Sequence, residues 1–128
     1  MAILKIQGNY RVYYFYGDGN ILGHIVVSNG GNRIKISTNN DIVLGPIWIC
    51  PSKRGSGLGT KAINIVLNNL EKDYQVAYEY IEKDNIASIR AAEKNRYRLV
   101  GSAKEYGLLK KIKLNPKGNL LVYKYEKD

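Results

Sequence analysis

Ile47-Trp-Ile-Cys-Pro-Ser-Lys-Arg-Gly-Ser-Gly-Leu-Gly-Thr60 is the stretch whose reading decides the fold of this chain. An apolar strand runs through Pro51 into a basic, glycine-rich turn, and the turn opens a helix. Gly55, Gly57 and Gly59 carry no Cβ, so the backbone can turn tightly and aim successive N–H groups outward. The positive end of the following helix points the same way, and the two together form a cradle for an anion. A glycine-rich turn without a ligand is the plainer alternative for the loop taken alone.

The spacing excludes the common nucleotide loops. G-x-x-x-x-G-K-S/T is absent because Thr60 precedes Lys61, and the glycines run G-x-G-x-G where a dinucleotide fold wants G-x-G-x-x-G. What fits is R-x-x-G-x-G, spelled by Arg54, Gly57 and Gly59. In this the chain resembles the GCN5-related N-acetyltransferase (GNAT) family. That family's pyrophosphate loop for acetyl-coenzyme A reads Q/R-x-x-G-x-G/A after a strand ending in V-x-P, here Ile49-Cys50-Pro51. A second segment, Asn85-Ile-Ala-Ser-Ile-Arg-Ala-Ala-Glu-Lys-Asn-Arg-Tyr97, resembles the family's later signature N-x-x-A/S-I/R-x-x-Y-E-K-x-G-F, with Asn85, Ser88, Glu93 and Lys94 in agreement. The resemblance spans Ile42 to about Gly101, and two ordered motifs are far more specific than one.

A chain of 128 residues has room for one core, so residues 1–128 are expected to form a single acetyltransferase domain. The opening Ala-Ile-Leu-Lys-Ile reads as a strand and not as a signal peptide. No apolar run approaches the roughly 18 residues that a membrane span needs, and a soluble, cytoplasmic protein is expected. One cysteine and one histidine supply neither a disulfide framework nor a usual structural zinc site, so no metal is expected. The net charge of +9 suits a polyanion. Coenzyme A and nucleic acid both qualify, with nucleic acid the less favoured. The basic residues near the turn (Lys53, Arg54, Lys61) and on and after the second helix (Arg90, Lys94, Arg96, Arg98) flank the expected cofactor. Those toward the end (Lys104, Lys110, Lys111, Lys113, Lys117) read as solvated surface.

Leu4–Gln7, Tyr10–Tyr16 and Ile21–Ser28 read as antiparallel strands separated by glycine-asparagine and Gly17-Asp-Gly-Asn20 turn chemistry. A short strand at Arg33–Ser37 and a strong one at Asp41–Cys50 follow, the latter carrying Gly45-Pro46, which signals a bulge because proline removes a ladder donor. Gly57–Leu70 reads as a helix with Ile63, Val66, Leu67 and Leu70 on one face. The strand Gln75–Ile81, the helix Asn85–Lys94 and the strands Tyr97–Ser102 and Leu120–Tyr125 complete the chain. The expectation is an α/β fold with a GNAT-like mixed, mostly antiparallel sheet of about six or seven strands and two main helices. The resemblance implies that the parallel strands Ile42–Cys50 and Gln75–Ile81 splay apart and admit the pantetheine arm. The family's usual early helix pair is lacking, which leaves a more open acceptor site.

For acetyl-coenzyme A as co-substrate, the resemblance implies backbone contacts to the pantetheine and acetyl carbonyl from Ile49 and Cys50. It implies a pyrophosphate cradle at Arg54, Gly55, Ser56, Gly57, Leu58, Gly59 and Thr60, and a contact from Asn85 to the pantetheine with Ser88 one helical turn on. Asn85 also suits a helix cap. The tyrosine that often protonates the leaving thiolate corresponds to Ala92, so no acid carries over. Arg96 stands where the family has glycine, and Asn95 is expected to take the left-handed turn. Candidates for the proton chemistry are Glu79, a carboxylate among apolar strand residues, His24, the only histidine, Asp41, and Ser88 as a substitute acid. Cys50 lacks a partner histidine by motif and reads as structural. Tyr10, Val12, Tyr14 and Tyr16 share a strand face that is either ordinary strand composition or a stacking surface.

The expectation is therefore an N-acetyltransferase acting on a primary amine of a small molecule. Asp41-Ile-Val-Leu-Gly-Pro-Ile-Trp-Ile-Cys-Pro51 is similar to compact members among bacterial surface-polysaccharide enzymes, which suggests an amino sugar or a nucleotide-linked one. A catalytically silent acyl-coenzyme A-binding module and a basic nucleic-acid-binding domain stand as alternatives, and a homodimer is an open option.

Overall fold

The computed structural model describes residues 2–5, 10–31, 33–70 and 73–127, with only the backbone of 2–5. In chain order it contains β1 (Ala2–Lys5), β2 (Tyr10–Gly17), β3 (Asn20–Asn29), β4 (Ile42–Ile49), α1 (Leu58–Asn68), β5 (Val76–Glu82), α2 (Ile86–Lys94), β6 (Arg98–Tyr106), β7 (Lys111–Leu114) and β8 (Leu120–Glu126). The strands form one sheet in the order β1-β2-β3-β4-β5-β8-β6-β7. Leu4 and Lys5 of the first expected strand fall in β1, and its residues 6 and 7 lie outside the described residues. Asp18 and Gly19 both adopt positive φ (51° and 76°), the conformation a two-residue hairpin between right-twisted strands requires.

All neighbouring strands run antiparallel except β4 and β5, whose parallel pairing consists of Ile42↔Ala77 and Val43↔Tyr78. Beyond these two pairs the strands part. β4 stays with β3 as it diverges, and three steps of β4 (Leu44 to Ile47) match two of β3 (Val27 to Ile25). The extra residue is the expected bulge at Gly45-Pro46, whose peptide bond is cis.

The sheet buries both faces. α1 and α2 cover one, where Ala62, Ile63, Val66 and Leu67 of α1 and Ala92 of α2 pack on Tyr13, Phe15, Ile25, Val27, Ile42 and Leu44. Each large aliphatic side chain so buried is worth about 1.5–3 kcal/mol. On the other face Val43, Tyr78, Ala103, Leu120 and Val122 are covered by Ile34 and Ile112. The expected strand Arg33–Ser37 is only a single bridge from Ile34 to Ile112, flanked by Lys35 N–H donating to the Ile112 carbonyl and Ile112 N–H to that of Arg33. The chain turns away there because the Ser37 hydroxyl binds the Ile34 carbonyl and accepts from Gly31 N–H, closing a loop. β7 went unforeseen, since three of its four residues are lysine or exposed leucine and only Ile112 is buried. Among the described residues no helix precedes α1 apart from a single 3-10 turn at Pro51–Lys53. No described helix is long and apolar enough to cross a membrane.

Candidate active site

The parting of β4 and β5 opens a cleft of about 600 Å³, lined from the β4 end, the glycine-rich loop, the first turn of α1, β5 and α2. Ile47 and Glu79 border it from the helix-covered face and Trp48 from the other, so the cleft passes through the sheet at the fork.

Its outer end has the chemistry that an anion would match. Gly57 caps α1 with φ 85° and no side-chain hydrogen bond, and no acidic residue stands in the first helical turn. The first N–H groups of α1 have no carbonyl four residues back, and here no side chain caps them. Gly55 also has positive φ (78°), and a Cβ at Gly55 or Gly57 would meet nothing within 4 Å. At Gly59 a Cβ would make only an ordinary 3.8 Å contact with Ile49. Packing among the described residues therefore does not explain Gly59, and the space beside it is open to a ligand. Lys53, Arg54, Arg90 and Lys94 line the same cleft, and Glu79 is the only carboxylate among its described lining residues. A diphosphate fits this donor set.

Arg54, Gly55, Gly57, Leu58, Gly59 and Thr60 all line the cleft, as do Ile49, Asn85 and Ser88. Ser56 turns back into the loop, where its hydroxyl donates to the Lys53 carbonyl. Arg54 folds across the loop and donates from Nε to the Ile49 carbonyl at 2.9 Å, which ties the cradle to the strand end. Asn85 accepts from Ser88 N–H at 3.3 Å through its side-chain oxygen, capping α2. Its amide nitrogen has no protein partner among the described residues, so the cap and a ligand contact are compatible.

Glu79 is the first residue of β5 past the last pair with β4. It is 3 % exposed, and its Oε2 has no hydrogen-bond partner. Burial alone pushes its carboxyl up to about 8. The Tyr97 hydroxyl, also buried and unpartnered, is pushed well above its ordinary value by burial and then by the Glu79 charge, so the two groups face the same interior space.

The remaining candidates lie elsewhere. Asp41 precedes β4 at the end away from the cleft, and its carboxylate accepts from Thr38 N–H (2.8 Å) and Thr38 Oγ1 (3.1 Å) to close the 30–41 loop. The cleft's acid–base groups do not include it. Cys50 is also outside the lining, with its N–H donating to the Leu22 carbonyl at 2.8 Å, so that N–H is not free for a pantetheine contact. His24 does not line the cleft either. It stacks on Trp48 at 5.8 Å and meets the Tyr14 ring edge-on at 5.9 Å, on the sheet face opposite the helices. Trp48, 39 % exposed, is where this aromatic row reaches the cleft.

The left-handed residue after α2 is Arg96 (φ 66°), and Asn95 is not left-handed (φ −95°). Asn95 is buried because its side-chain amide donates to the Ala91 carbonyl (2.9 Å) and the Thr60 carbonyl (3.0 Å). It thereby fixes the first turn of α1 against the end of α2, holding the cradle beside Asn85 and Ser88. Sequence alone gave one signal for this, a polar residue directly after an apolar helix face.

The model of the acetyltransferase (GNAT) family matches residues 3–96. No protein of curated function matches the sequence closely. Among solved structures, the ribosomal L7/L12 alpha-N-protein acetyltransferase RimL in complex with coenzyme A superposes with a TM-score of 0.72 at 18% identity, over 95% of this chain and 64% of its own. A ribosomal-protein-alanine N-acetyltransferase from Brucella melitensis gives 0.71 at 18% over 92% and 69%. The structure of yncA from Salmonella typhimurium with its cofactor acetyl-CoA gives 0.69 at 18% over 93% and 65%. The chain thus spans about two thirds of the length of these three, and at such identities the likeness is one of fold.

Proposed function

Because the chain belongs to the acetyltransferase (GNAT) family, we propose that residues 1–128 act as one acetyl-coenzyme A-dependent N-acetyltransferase domain that acetylates a primary amine of a small molecule. The observation that carries this reading is the fork between β4 and β5, which continues without interruption into the glycine cradle at the uncapped start of α1. A long ligand with a diphosphate at one end and an acyl group at the other matches that shape. The diphosphate would meet the N–H groups of residues 57–60 with Lys53 and Arg54 beside them, the pantetheine would pass Ile49, Asn85 and Ser88, and the thioester would end at the fork.

The acceptor would enter from the sheet face opposite the helices, past Trp48, His24 and Tyr14. An aromatic row of this kind suits the flat face of a sugar ring, and the basic surface suits a phosphate. We therefore favour an amino sugar, free or nucleotide-linked. The test is a panel of primary amines, led by amino sugars and including peptides with free α-amines, with release of coenzyme A thiol as readout. Turnover with an amino sugar supports the reading; turnover with peptides alone replaces the acceptor class.

A silent acyl-coenzyme A-binding module is the alternative that Ala92 favours, since a fully buried methyl stands where the family has a tyrosine. It predicts binding of acetyl-coenzyme A with no thiol release to any amine. The basic nucleic-acid-binding alternative predicts salt-steep binding to a DNA duplex that does not depend on Gly57.

A further inference from the structure

Among the described residues, Glu79 is the buried carboxyl that neither the fold nor the cradle accounts for. A strand residue between Ala77 and Ile81, both members of the helix-side core, is ordinarily apolar, and a carboxyl there loses its hydration. Among the described residues no donor compensates Oε2. Across the ladder it faces Tyr123 of β8, and Tyr97 approaches from the chain after α2. The cations that line the same cleft are Lys53 and Arg54 on the loop and Arg90 and Lys94 on α2, and burial still pushes the Glu79 carboxyl up. Such a group is costly to keep and sits where the strands part, on the floor of the cleft.

We propose that Glu79 is the proton-carrying group of the acetyl transfer, giving its proton to the departing coenzyme A sulfur and recovering one from the acceptor nitrogen. The inference rests on the reading of the cleft as the acetyl-coenzyme A site. The amine enters neutral, its nitrogen bonds to the thioester carbon, and the C–S bond breaks. Glu79 in its acid form hands its proton to the sulfur as the thiolate leaves. The resulting carboxylate then removes the excess proton from the positively charged nitrogen of the new amide. Atoms and charge balance, and Glu79 returns to its acid form. One carboxyl thereby serves both as base and as the acid that Ala92 does not supply.

A donor of this kind must be protonated near neutral pH and matched to a thiol, which ionises at about 8.5 in the ordinary cysteine case. Glu79, pushed up to about 8 by burial, meets both conditions. Tyr97, whose hydroxyl burial pushes well above its ordinary value, stays protonated over the same range and does not compete as the proton donor.

The test compares wild type with Glu79→Gln, whose neutral amide has the shape of the neutral carboxyl. Two readouts are taken: acetyl transfer to the acceptor across pH, and ionisation of the thiol of bound coenzyme A followed by thiolate absorbance, with the Cys50 background from coenzyme-free protein removed. The expected results are a kcat lower by about 100-fold, loss of the fall in rate above about pH 8, and acetyl-coenzyme A affinity within about threefold of wild type. The bound thiol should ionise about one pH unit lower in Glu79→Gln, because the carboxylate no longer repels the thiolate. An identical thiol titration in the two proteins, or an unchanged rate profile, overturns the role of Glu79 while leaving the cofactor site intact. Failure of wild type to bind coenzyme A overturns both.

Discussion

Replacing Glu79 with glutamine should make the protein more stable at pH 8 and leave it unchanged near pH 4. In the folded protein the carboxyl keeps its proton until about 8, whereas its ordinary value is 4.5. Between those values the folded state binds the extra proton, so the contribution to stability is fully present below pH 4.5, declines as pH rises and is exhausted above about 8. Each tenfold change in proton affinity is worth about 1.4 kcal/mol, so the whole loss amounts to as much as roughly 5 kcal/mol. Glutamine does not titrate and carries none of this slope. Urea unfolding of both proteins in steps from about pH 5 to about pH 8 should show the variant gaining by about 1.4 kcal/mol per pH unit. A stability difference that stays constant across that range would refute the buried, unpaired state of Glu79.

Gly57→Glu should abolish acetyl-coenzyme A binding in a protein that circular dichroism shows to be folded, because a carboxylate would fill the cradle and φ at that position is 85°; intact binding would remove the loop from the cofactor site. Asn95→Ala removes the two hydrogen bonds that the side-chain amide donates to the Thr60 and Ala91 carbonyls, so stability should fall by about 1–3 kcal/mol and acetyl-coenzyme A should bind more weakly, as calorimetry at matched temperature would measure. Trp48→Ala should raise KM for the acceptor while leaving the coenzyme Kd within about twofold, since Trp48 stands on the face away from the cradle; an equal loss in both would place Trp48 on the coenzyme instead.

The glycine turn at the start of α1 was legible in the sequence because it is a local device, and the fork was implied by the family resemblance. Gly57 at an uncapped helix start and Asn85 as the cap of α2 follow from residue type and position, and α1 buries Ile63, Val66 and Leu67 as the spacing requires. Misreadings came where hydrogen-bond or packing partners override local composition. Arg33–Ser37 has strand composition, but Ser37 and Asp41 close a loop around Ile34 and leave one bridge. β7 hides in a lysine-rich segment because its only buried side chain, Ile112, packs on residues far away in sequence. Asp41 and Glu79 look alike as strand-associated carboxylates. Only the partners separate them, two hydrogen bonds from Thr38 for the one and an empty Oε2 for the other.

The most direct measurement of the central claim is calorimetric titration of the purified protein with acetyl-coenzyme A, run beside coenzyme A and a nonspecific DNA duplex. Saturable, one-to-one binding of both coenzyme forms in the micromolar range, with weak and salt-sensitive binding to DNA, is the result the fork and the cradle predict. Binding to DNA with no heat from either coenzyme would contradict the account and make the basic surface the working site of the protein.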